Sequence, residues 1–247
     1  MTSDSPAFPR FRAVADHAVL VELGDRIDAS IHDRVRHLDT ALQVRPFTGF
    51  AEAVPAYASV LVEFDPLVTD HAAATRALRE LVGPSAPPSP PAPPPEAAPV
   101  RDVLVCYEES LAPDLERVAT RCGLTREAVV AAHLSGQYRV AMYGFAPGYA
   151  YLAGVPESIR LPRKPAPVRD VPAGTVLIAG AQCLVTTLAM PTGWWAIGRS
   201  PTRILRADSD RPFLFDVGDG VRFGRIDRRA FDAAVAAADA ADPTRVR

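Results

Sequence analysis

The basic residues of this 247-residue chain are almost all of one kind. Asparagine is absent, and a single lysine, Lys164, stands among 26 arginines. A GC-rich coding bias accounts for such a skew, so the number of arginines carries little functional information. The one lysine that has withstood the same bias is informative, and Lys164 is therefore the first candidate functional residue.

Features that define several other protein classes are also missing. The three cysteines lack the CxxC spacing of a zinc site or a disulfide framework, which fits a reducing compartment. No apolar run approaches the roughly 18 to 20 residues that cross a bilayer, and the N-terminal residues lack the pattern of a secretory signal. A formal net charge of −2 does not favour nucleic acid or a membrane as partner. We expect a cytoplasmic protein.

Common catalytic and nucleotide-binding signatures are absent as well. A Walker A loop needs Gly-Lys-Ser/Thr, whereas the only lysine follows Arg163. The glycines of residues 218–224 miss the dinucleotide fingerprint, and neither GxSxG nor HExxH occurs. The five histidines show no zinc spacing, and His32 and His37 are expected on the exposed side of a helix. No metal site is predicted.

Proline marks a boundary in the chain. Nine of the sixteen residues in 84–99 are proline, a composition that adopts extended polyproline II geometry and acts as a semi-rigid spacer. The sequence therefore predicts an N-terminal domain over residues 1–83, a linker over 84–99 and a C-terminal domain over 100–247.

The N-terminal domain has the pattern β-α-β-β-α. Its first helix, capped by Asp28 or Ser30, carries apolar residues with a period of 3.6, and its second is capped by Thr69 or Asp70 and ends near Val82–Gly83. The predicted strands are Ala18–Leu23, Gly49–Val54 and Ser59–Phe64. This order predicts a ferredoxin-like unit with helices on one face of an antiparallel sheet.

The C-terminal domain has many short strands separated by turn residues, typical of a barrel or sandwich. Two short helices are predicted, Pro113–Cys122 and Arg126–Leu134, followed at the end by an alanine-rich helix, Ala230–Ala241. Gly218-Asp219-Gly220 is expected to form the last hairpin turn. The predicted strands are Val103–Tyr107, Arg139–Gly144, Thr175–Ala179, Leu184–Leu188, Trp195–Gly198, Phe213–Val217 and Val221–Gly224. The fold class is α+β.

Residues 144–201 are the most informative segment. They contain seven glycines and eight prolines, a density that excludes a long helix, because proline costs a helix about 3 kcal/mol and glycine about 1. Lys164 and both tryptophans lie here, among the aromatic residues Phe145, Tyr149, Tyr151, Trp194 and Trp195. Turns that carry aromatic and polar groups on a sheet scaffold indicate a ligand site.

The same segment resembles the KipI/PxpB family, whose members include the B subunit of 5-oxoprolinase, allophanate hydrolase subunit 1 and the sporulation kinase inhibitor KipI. Similar motifs are also found upstream, at residues 54–66 and 112–133. The chain departs from the family pattern at AGAQCLVTTL (179–188), where Cys183 and Thr186 replace a threonine and a tyrosine. The motifs in order are GFAPGYAYL (144–152), LPRKPAP (161–167), VPAGTVLIAG (171–180), PTGWWAIGRSP (191–201) and VGDGVRF (217–223).

The resemblance implies a small α/β domain followed by a cyclophilin-like β-barrel. It also implies two partners, a homologous second barrel subunit of the KipA/PxpC type and a protein of the LamB/YcsF type. Together these proteins form an ATP-dependent 5-oxoprolinase, which opens 5-oxo-L-proline to L-glutamate. The implied ligands are ATP, a small amide or lactam and, as a further candidate, Mg²⁺.

The candidate site residues follow from this chemistry. Arg163 and Lys164 are predicted to bind phosphate oxygens, the alternative being a solvated pair of loop cations. Gln182 is predicted to orient a carbonyl or a water, the alternative being a hydrogen bond at the barrel rim. His133 is predicted to transfer protons, the alternative being a helix cap or a core contact.

Further candidates are predicted to line the pocket or to act as acids. Tyr143, Phe145, Tyr149 and Tyr151 are predicted to wall a flat pocket, and the alternative, plain barrel core, is favoured. Gly193 and Trp194 are further candidates for binding substrate or nucleotide. Asp114 and Asp170 are candidate acids or magnesium partners, for which a turn or helix-start role is favoured. Cys183 is expected to be buried apolar filler.

Three functions remain open from the sequence. The first is a component of a heteromeric, ATP-dependent amide or lactam hydrolase that is inactive alone, with 5-oxoproline as the favoured substrate. The second is a KipI-like module that inhibits a sensor histidine kinase. The third is a carboxyltransferase half of a urea or amide carboxylase, or allophanate hydrolase subunit 1.

Overall fold

The computed structural model describes residues 7–83, 98–206 and 211–240. The chain forms two compact units, Met1–Ala97 and Ala98–Arg247. Most of the proline-rich segment 84–99 falls outside the described residues, as does Ala241 at the end of the last predicted helix. No helix of the described residues is long and apolar enough to cross a membrane.

The first unit is a four-stranded antiparallel sheet covered by two helices. Asp28 caps the first helix by accepting from the amides of Ser30 and Ile31, and Asp70 caps the second by accepting from Ala73. The elements are β1 (Arg10–Val14), β2 (Ala18–Glu22), α1 (Ala29–Val44), β3 (Phe50–Pro55), β4 (Ser59–Phe64) and α2 (His71–Val82).

The sheet order is β1-β2-β4-β3. Alternate residues of β2 and β4 pack against the apolar faces of both helices and form the core of this unit. The predicted order β-α-β-β-α is present, but an additional strand, β1, precedes it and pairs with β2. The ferredoxin-like assignment stays a prediction. Both His32 and His37 lie on α1. The predicted exposure of His32 is wrong, because this residue is buried, whereas His37 is exposed as predicted.

The second unit contains a seven-stranded sheet with the order β12-β9-β10-β7-β6-β13-β5. A separate two-stranded ribbon pairs β8 with β11. The strands are β5 (Val100–Val105), β6 (Tyr138–Tyr143), β7 (Ala150–Ala153), β8 (Val168–Val171), β9 (Thr175–Ala179), β10 (Gln182–Val185), β11 (Met190–Thr192), β12 (Trp195–Arg199) and β13 (Gly220–Arg225). The helices are α3 (Leu115–Cys122), α4 (Arg126–Ser135) and α5 (Arg228–Ala240).

The seven-stranded sheet almost closes into a barrel. Cys106, directly after β5, exchanges two backbone hydrogen bonds with Arg199 at the end of β12, with N···O distances of 2.8 and 2.9 Å. The two edge strands of the sheet therefore meet at this point. An α+β chain with a nearly closed barrel-like sheet confirms the predicted fold class and is consistent with the cyclophilin-like barrel.

Two hydrophobic clusters lie on opposite faces of this sheet. The barrel core contains Trp195 and Ile197 together with residues of α3 and α4. The other, which we call the outer cluster, consists of Tyr149, Val171, Leu177, Ala179, Leu184, Trp194 and Ala196. The neighbouring tryptophans Trp194 and Trp195 belong to different clusters, and both side chains are buried.

The structure differs from the sequence-based prediction in several places: β7, β8 and β11 were not predicted, and one predicted strand and one predicted turn do not form. Phe213–Val217 is not a strand: Phe213 forms only an isolated bridge with Leu205, while Phe215 packs into the barrel core. Gly218-Asp219-Gly220 therefore leads into β13 without closing a hairpin, so that prediction is wrong. Asp219 is instead buried, and its carboxylate accepts from Arg101 Nε at 2.9 Å.

Candidate functional site

The open side of β12 is held by the start of α3. Within the sheet β12 pairs only with β9, so part of its other edge lacks a strand partner. The amide of Asp114 donates to the Ala196 carbonyl at 3.0 Å, and Asp114 Oδ2 accepts from the Ala196 amide at 2.9 Å. One residue thus supplies both hydrogen bonds that a neighbouring strand would give to Ala196. We call this edge of β12 the seam: Asp114 bonds to it at Ala196, and Cys106 bonds to it at Arg199.

Lys164 is paired with this aspartate. Its Nζ donates to Asp114 Oδ2 at 2.7 Å, and the side chains of Lys164 and Asp114 are only 5% and 8% exposed. The Lys164 amide also donates to the Gly193 carbonyl at 2.7 Å, which fixes the backbone of the lysine. The ammonium group therefore has a set position beside the seam and is not a freely moving surface charge. Its role in phosphate binding stays a prediction.

A cavity of about 210 Å³ lies beside this ion pair, and we call it the seam cavity. Its charged lining consists of three cations and two carboxylates: Lys164, Arg169, Arg199, Asp114 and Asp170. Because Lys164 is neutralised by Asp114, the balance of charge in the remainder of the lining is positive. The candidate acids Asp114 and Asp170 both reach this cavity, but Asp114 is already committed to Lys164 and Ala196.

Arg199 has no counter-ion at the seam. Within the part of the chain that the structure describes, its guanidinium makes no hydrogen bond and no ion pair, although the residue is partly buried. Burial lowers the pKa of this guanidinium. Arg199 is not singled out by the sequence, because arginine is so frequent here. The GRSP end of the motif PTGWWAIGRSP is the one available signal.

The wall of the seam cavity next to Arg199 is rigid. The Pro172 carbonyl accepts from Thr175 Oγ1 at 2.6 Å and from Thr186 Oγ1 at 2.8 Å, and Thr186 Oγ1 accepts from the Thr175 amide. Gly174 adopts φ +81°, and a Cβ there would lie 2.5 Å from the Ser200 carbonyl oxygen. The turn before β9 is therefore cross-linked to β10 and depends on a glycine.

Most of the predicted aromatic residues meet on the outer face of the barrel. The Arg163 guanidinium lies 5.6 Å from the Trp194 ring centroid, and Tyr151 contacts the same indole edge-on at 5.9 Å. Gly193 precedes this tryptophan, and a Cβ at Gly193 would make only ordinary van der Waals contacts. Tyr149 belongs to the outer cluster, and burial raises the pKa of both Tyr149 and Tyr151.

Phe145 is the exposed member of this group. Its side chain is 73% exposed and contacts Tyr149 edge-on at 5.8 Å. Its backbone adopts φ +71°, a left-handed conformation that is uncommon for a bulky residue and marks strain or function. The structure thus brings Arg163, Tyr151, Gly193 and Trp194 together in what we call the aromatic patch. Phe145 packs on Tyr149, which is a member of the outer cluster.

His133 lies apart from both the seam cavity and the aromatic patch. It is fully buried, its Nδ1 is 2.7 Å from the Tyr107 hydroxyl, and its Nε2 is 3.7 Å from Cys183 Sγ. Burial lowers the pKa of the imidazole to about 3. The Phe223 ring contacts the imidazole at 4.4 Å between centroids, with the two planes tilted by 39°. This environment favours the core-contact alternative over proton transfer, and Cys183 is buried as expected.

Gln182 also lies away from the seam cavity. It begins β10, where it pairs with Ala179 and Ala153, and its side chain is partly buried at the β9–β10 turn. Its predicted role in orienting a carbonyl stays a prediction. Among residues 7–83, 98–206 and 211–240, no group of three His, Cys, Asp or Glu side chains lies together in a way that could hold a metal ion.

Comparisons with known proteins identify the family of this chain. Residues 9–215 match the family model described as carboxyltransferase domain, subdomain C and D. The B subunit of the Bacillus subtilis 5-oxoprolinase is 31% identical over 230 residues, which cover 89% of this chain and 94% of that protein. This chain belongs to the carboxyltransferase subdomain C and D family. The resemblance to the KipI/PxpB family is thereby confirmed.

Solved structures with the same fold include longer chains. TTHA0988 aligns with a TM-score of 0.72 and 33% identity over 86% of this chain, which corresponds to 40% of that longer chain. The urea amidolyase of K. lactis aligns with a TM-score of 0.72 over 94% of this chain and 16% of its own length. The urea amidolyase is only 17% identical, so it shows the shared fold alone.

Proposed function

We propose that this chain is the B subunit of a 5-oxoprolinase, a heteromeric hydrolase that opens 5-oxo-L-proline to L-glutamate with the hydrolysis of ATP. The observation that carries the proposal is the nearly end-to-end match to the B subunit of the B. subtilis 5-oxoprolinase. The alignment includes both units of the chain, so it is not limited to a shared barrel. A cytoplasmic location belongs to this proposal.

The chemistry explains why ATP is required. A five-membered lactam is a poor electrophile, and transfer of the ATP γ-phosphoryl group to its amide oxygen activates the ring carbon for attack by water. The ring C–N bond then breaks, with the nitrogen leaving as the amine, and a second water hydrolyses the resulting acyl phosphate to glutamate and inorganic phosphate. The site must therefore hold a polyphosphate, neutralise developing negative charge and exclude bulk water. ATP, with Mg²⁺ as its accompanying ion, is the cofactor that this reaction needs.

Two neighbouring regions of the second unit suit this task. Arg163 is exposed above Trp194 and presents a guanidinium fork that fits phosphate oxygens. Lys164, the next residue, is buried at the seam, where its ammonium group is paired with Asp114 beside the seam cavity. The phosphate-binding group in this proposal is Arg163, while the fixed position of Lys164 anchors the loop that presents it.

The proposed enzyme acts only as an assembly. Phe145 and Arg163 are exposed, so bulk water reaches these two residues in the single chain. The proposed partners are a homologous barrel subunit of the KipA/PxpC type and a LamB/YcsF-type protein. A partner that covers this face would exclude water from the reacting groups.

The test is reconstitution. The chain is copurified with both partners, and glutamate release is measured with ATP and 5-oxo-L-proline. We expect turnover by the assembly and none by this chain alone. Arg163→Gln should lower the activity at least tenfold, whereas Arg26→Gln, an exposed arginine in the first unit, should leave it unchanged. An assembly that releases no glutamate would refute the proposal.

The carboxyltransferase alternative is supported by the description of the family model and by a likeness of fold, and neither specifies that reaction; the kinase-inhibitor alternative has no specific observation in its favour. The likeness to urea amidolyase is one of fold, at 17% identity. The kinase-inhibitor alternative requires a docking surface for a sensor histidine kinase, and no described residue of this chain specifies one. We therefore propose neither.

A further inference from the structure

Arg199 is held in place by the closure of the barrel. Its backbone N–H and C=O are both bonded to Cys106, and its position in the ladder is opposite Thr175. The pairing of β12 with β9 shifts register between Ala196 and Gly198, which re-aims the residues that follow. A Cβ at Gly198 would lie 2.7 Å from Val105 Cγ1, so the close approach that fixes Arg199 requires glycine.

Arg199 lines two cavities. One is the seam cavity, and the other, of about 430 Å³, lies next to α5 and also contains Arg203. Arg203 forms an ion pair with Asp239 at 3.1 Å, whereas Arg199 has no acidic partner in the described part of the chain. Withdrawing a charge from water without a counter-ion is costly, and an anionic ligand in the cavity would compensate that cost.

The dimensions of the seam cavity restrict the ligand. At about 210 Å³ it is smaller than the roughly 300 Å³ at which pockets for drug-sized ligands begin, so it is too small for a nucleotide. Its wall is apolar at Leu111, Val168 and Pro172, and the Lys164–Asp114 pair lies in the same lining as Arg199. An apolar ring that carries one negative group fits this combination of surfaces.

We infer that the seam cavity binds a small carboxylate, whose two oxygens pair with the Arg199 guanidinium fork. The fork matches a carboxylate in a bidentate manner, which fixes the orientation of the ligand as well as adding affinity. If the proposed function holds, the ligand is the lactam substrate or its amino-acid product. The carboxylate then lies at Arg199, and the ring extends towards Lys164 and Asp114.

The first test measures binding to the full chain without ATP or partners. Isothermal titration calorimetry compares 5-oxo-L-proline with 2-pyrrolidinone, which has the same ring without the carboxylate. We expect saturable binding of 5-oxo-L-proline and a loss of at least tenfold for 2-pyrrolidinone. Inorganic phosphate at the same concentration should not displace the carboxylate, and displacement by phosphate would identify a general anion site and overturn the inference.

The matched variants are Arg199→Gln and Arg203→Gln. Both remove one guanidinium from the larger cavity, but only Arg199 also lines the seam cavity. Arg199→Gln should weaken binding of 5-oxo-L-proline at least tenfold, and Arg203→Gln should change it less than twofold. Because both tryptophans are buried in this unit, unchanged tryptophan emission verifies that each variant is folded. Equal affinities in all three proteins, or no binding to the wild-type chain, would overturn the inference.

Kinetics of the reconstituted assembly separate this inference from the proposed function. Arg199→Gln should raise the KM for 5-oxo-L-proline at least tenfold and leave the KM for ATP within twofold. Glutamate release with an unchanged KM for 5-oxo-L-proline would remove the carboxylate site and leave the proposed function standing. Conversely, if binding of 5-oxo-L-proline depends on Arg199 but the assembly releases no glutamate, the carboxylate site is retained and the proposed function is refuted.

Discussion

Lys164 and Asp114 show how far a buried ion pair can tie distant parts of a chain together. The two residues are 50 positions apart, and both side chains are almost fully shielded from water. Asp114 also holds the Ala196 amide, so its carboxylate must keep its place when the lysine is lost. Removing one partner of a buried pair is strongly destabilising, and without Lys164 the carboxylate of Asp114 keeps only the more distant and largely exposed Arg117, at 3.6 Å from Oδ1.

We therefore predict that Lys164→Met lowers the free energy of unfolding by about 3–5 kcal/mol. The double variant Lys164→Met/Asp114→Asn should recover most of this loss, since the asparagine side chain is neutral and its oxygen still accepts from the Ala196 amide. Urea denaturation followed by tryptophan emission measures both. A double variant no more stable than the single one would contradict this account. When the activity of a Lys164 variant is measured, the double variant should be measured beside it, so that a loss of stability is not taken for a loss of function.

The buried imidazole of His133 predicts a pH dependence of stability. The pKa is lowered from 6.5 to about 3 in the folded chain, so the unfolded chain binds one more proton between these values. Stability is therefore fully present above pH 6.5 and is lost as the pH falls towards 3, by up to about 1.4 kcal/mol per pH unit.

We predict that His133→Gln removes this part of the pH dependence. Between pH 6.5 and 4.5 the free energy of unfolding of the variant should fall by about 2–3 kcal/mol less than that of the wild type. The control is His37→Gln, which replaces an exposed histidine of α1 and should follow the wild-type curve. Parallel curves for wild type and His133→Gln would show that the imidazole gains water or a counter-charge in solution.

At the scale of elements, the closing of the barrel depends on the close approach of β12 to the segment that follows β5. A methyl group at position 198 would lie 2.7 Å from Val105 Cγ1 and 3.2 Å from the Cys106 carbonyl oxygen. The Cys106 carbonyl is part of the closing bridge, so it cannot move away without breaking a backbone hydrogen bond.

Gly198→Ala should accordingly destabilise the chain by about 1–3 kcal/mol, in the range of overpacked cores. The corresponding fall in Tm is roughly 2–4 °C for each kcal/mol in a protein of this size. Gly224→Ala in β13 is the matched control, because its Cβ would meet Leu104 at an ordinary 3.5 Å. Equal melting temperatures for the two variants would rule out a tight closure at Gly198.

Elements with strong local signals were predictable, and those without them were not. The boundaries of β4 match the prediction because alternating apolar residues with a phenylalanine at the end specify a half-buried strand. β1 escaped prediction because it is an edge strand with two arginines and largely exposed positions. Phe213–Val217 has strand-like composition, but its apolar side chains fill the core without a ladder partner.

At the scale of the whole molecule, each unit has a hydrophobic core of its own. The core of the first unit draws on β2, β4, α1 and α2, and the barrel core contains described residues of the second unit only. Separate cores of this kind are the physical basis for independent folding of domains.

We predict that residues 98–247 fold without the first unit. Both tryptophans lie in this unit and are buried, so their emission reports on its tertiary packing alone. The fragment should show the native emission maximum and a single cooperative urea transition. A gradual transition, or emission typical of exposed indole, would show that the barrel requires the preceding residues for stability.

The sequence by itself determined the family, the α+β class, the capped helices of the first unit and the segment that carries the aromatic patch. These properties depend on near neighbours along the chain, such as the cap residues of a helix or the alternation of a strand. Only the tertiary structure decided that Lys164 is neutralised by Asp114, that His133 is shut inside the core, and that Arg199 faces a cavity without a counter-ion among the described residues. The charge, burial and reach of these groups depend on residues far away in sequence, which contact them only after the barrel has closed.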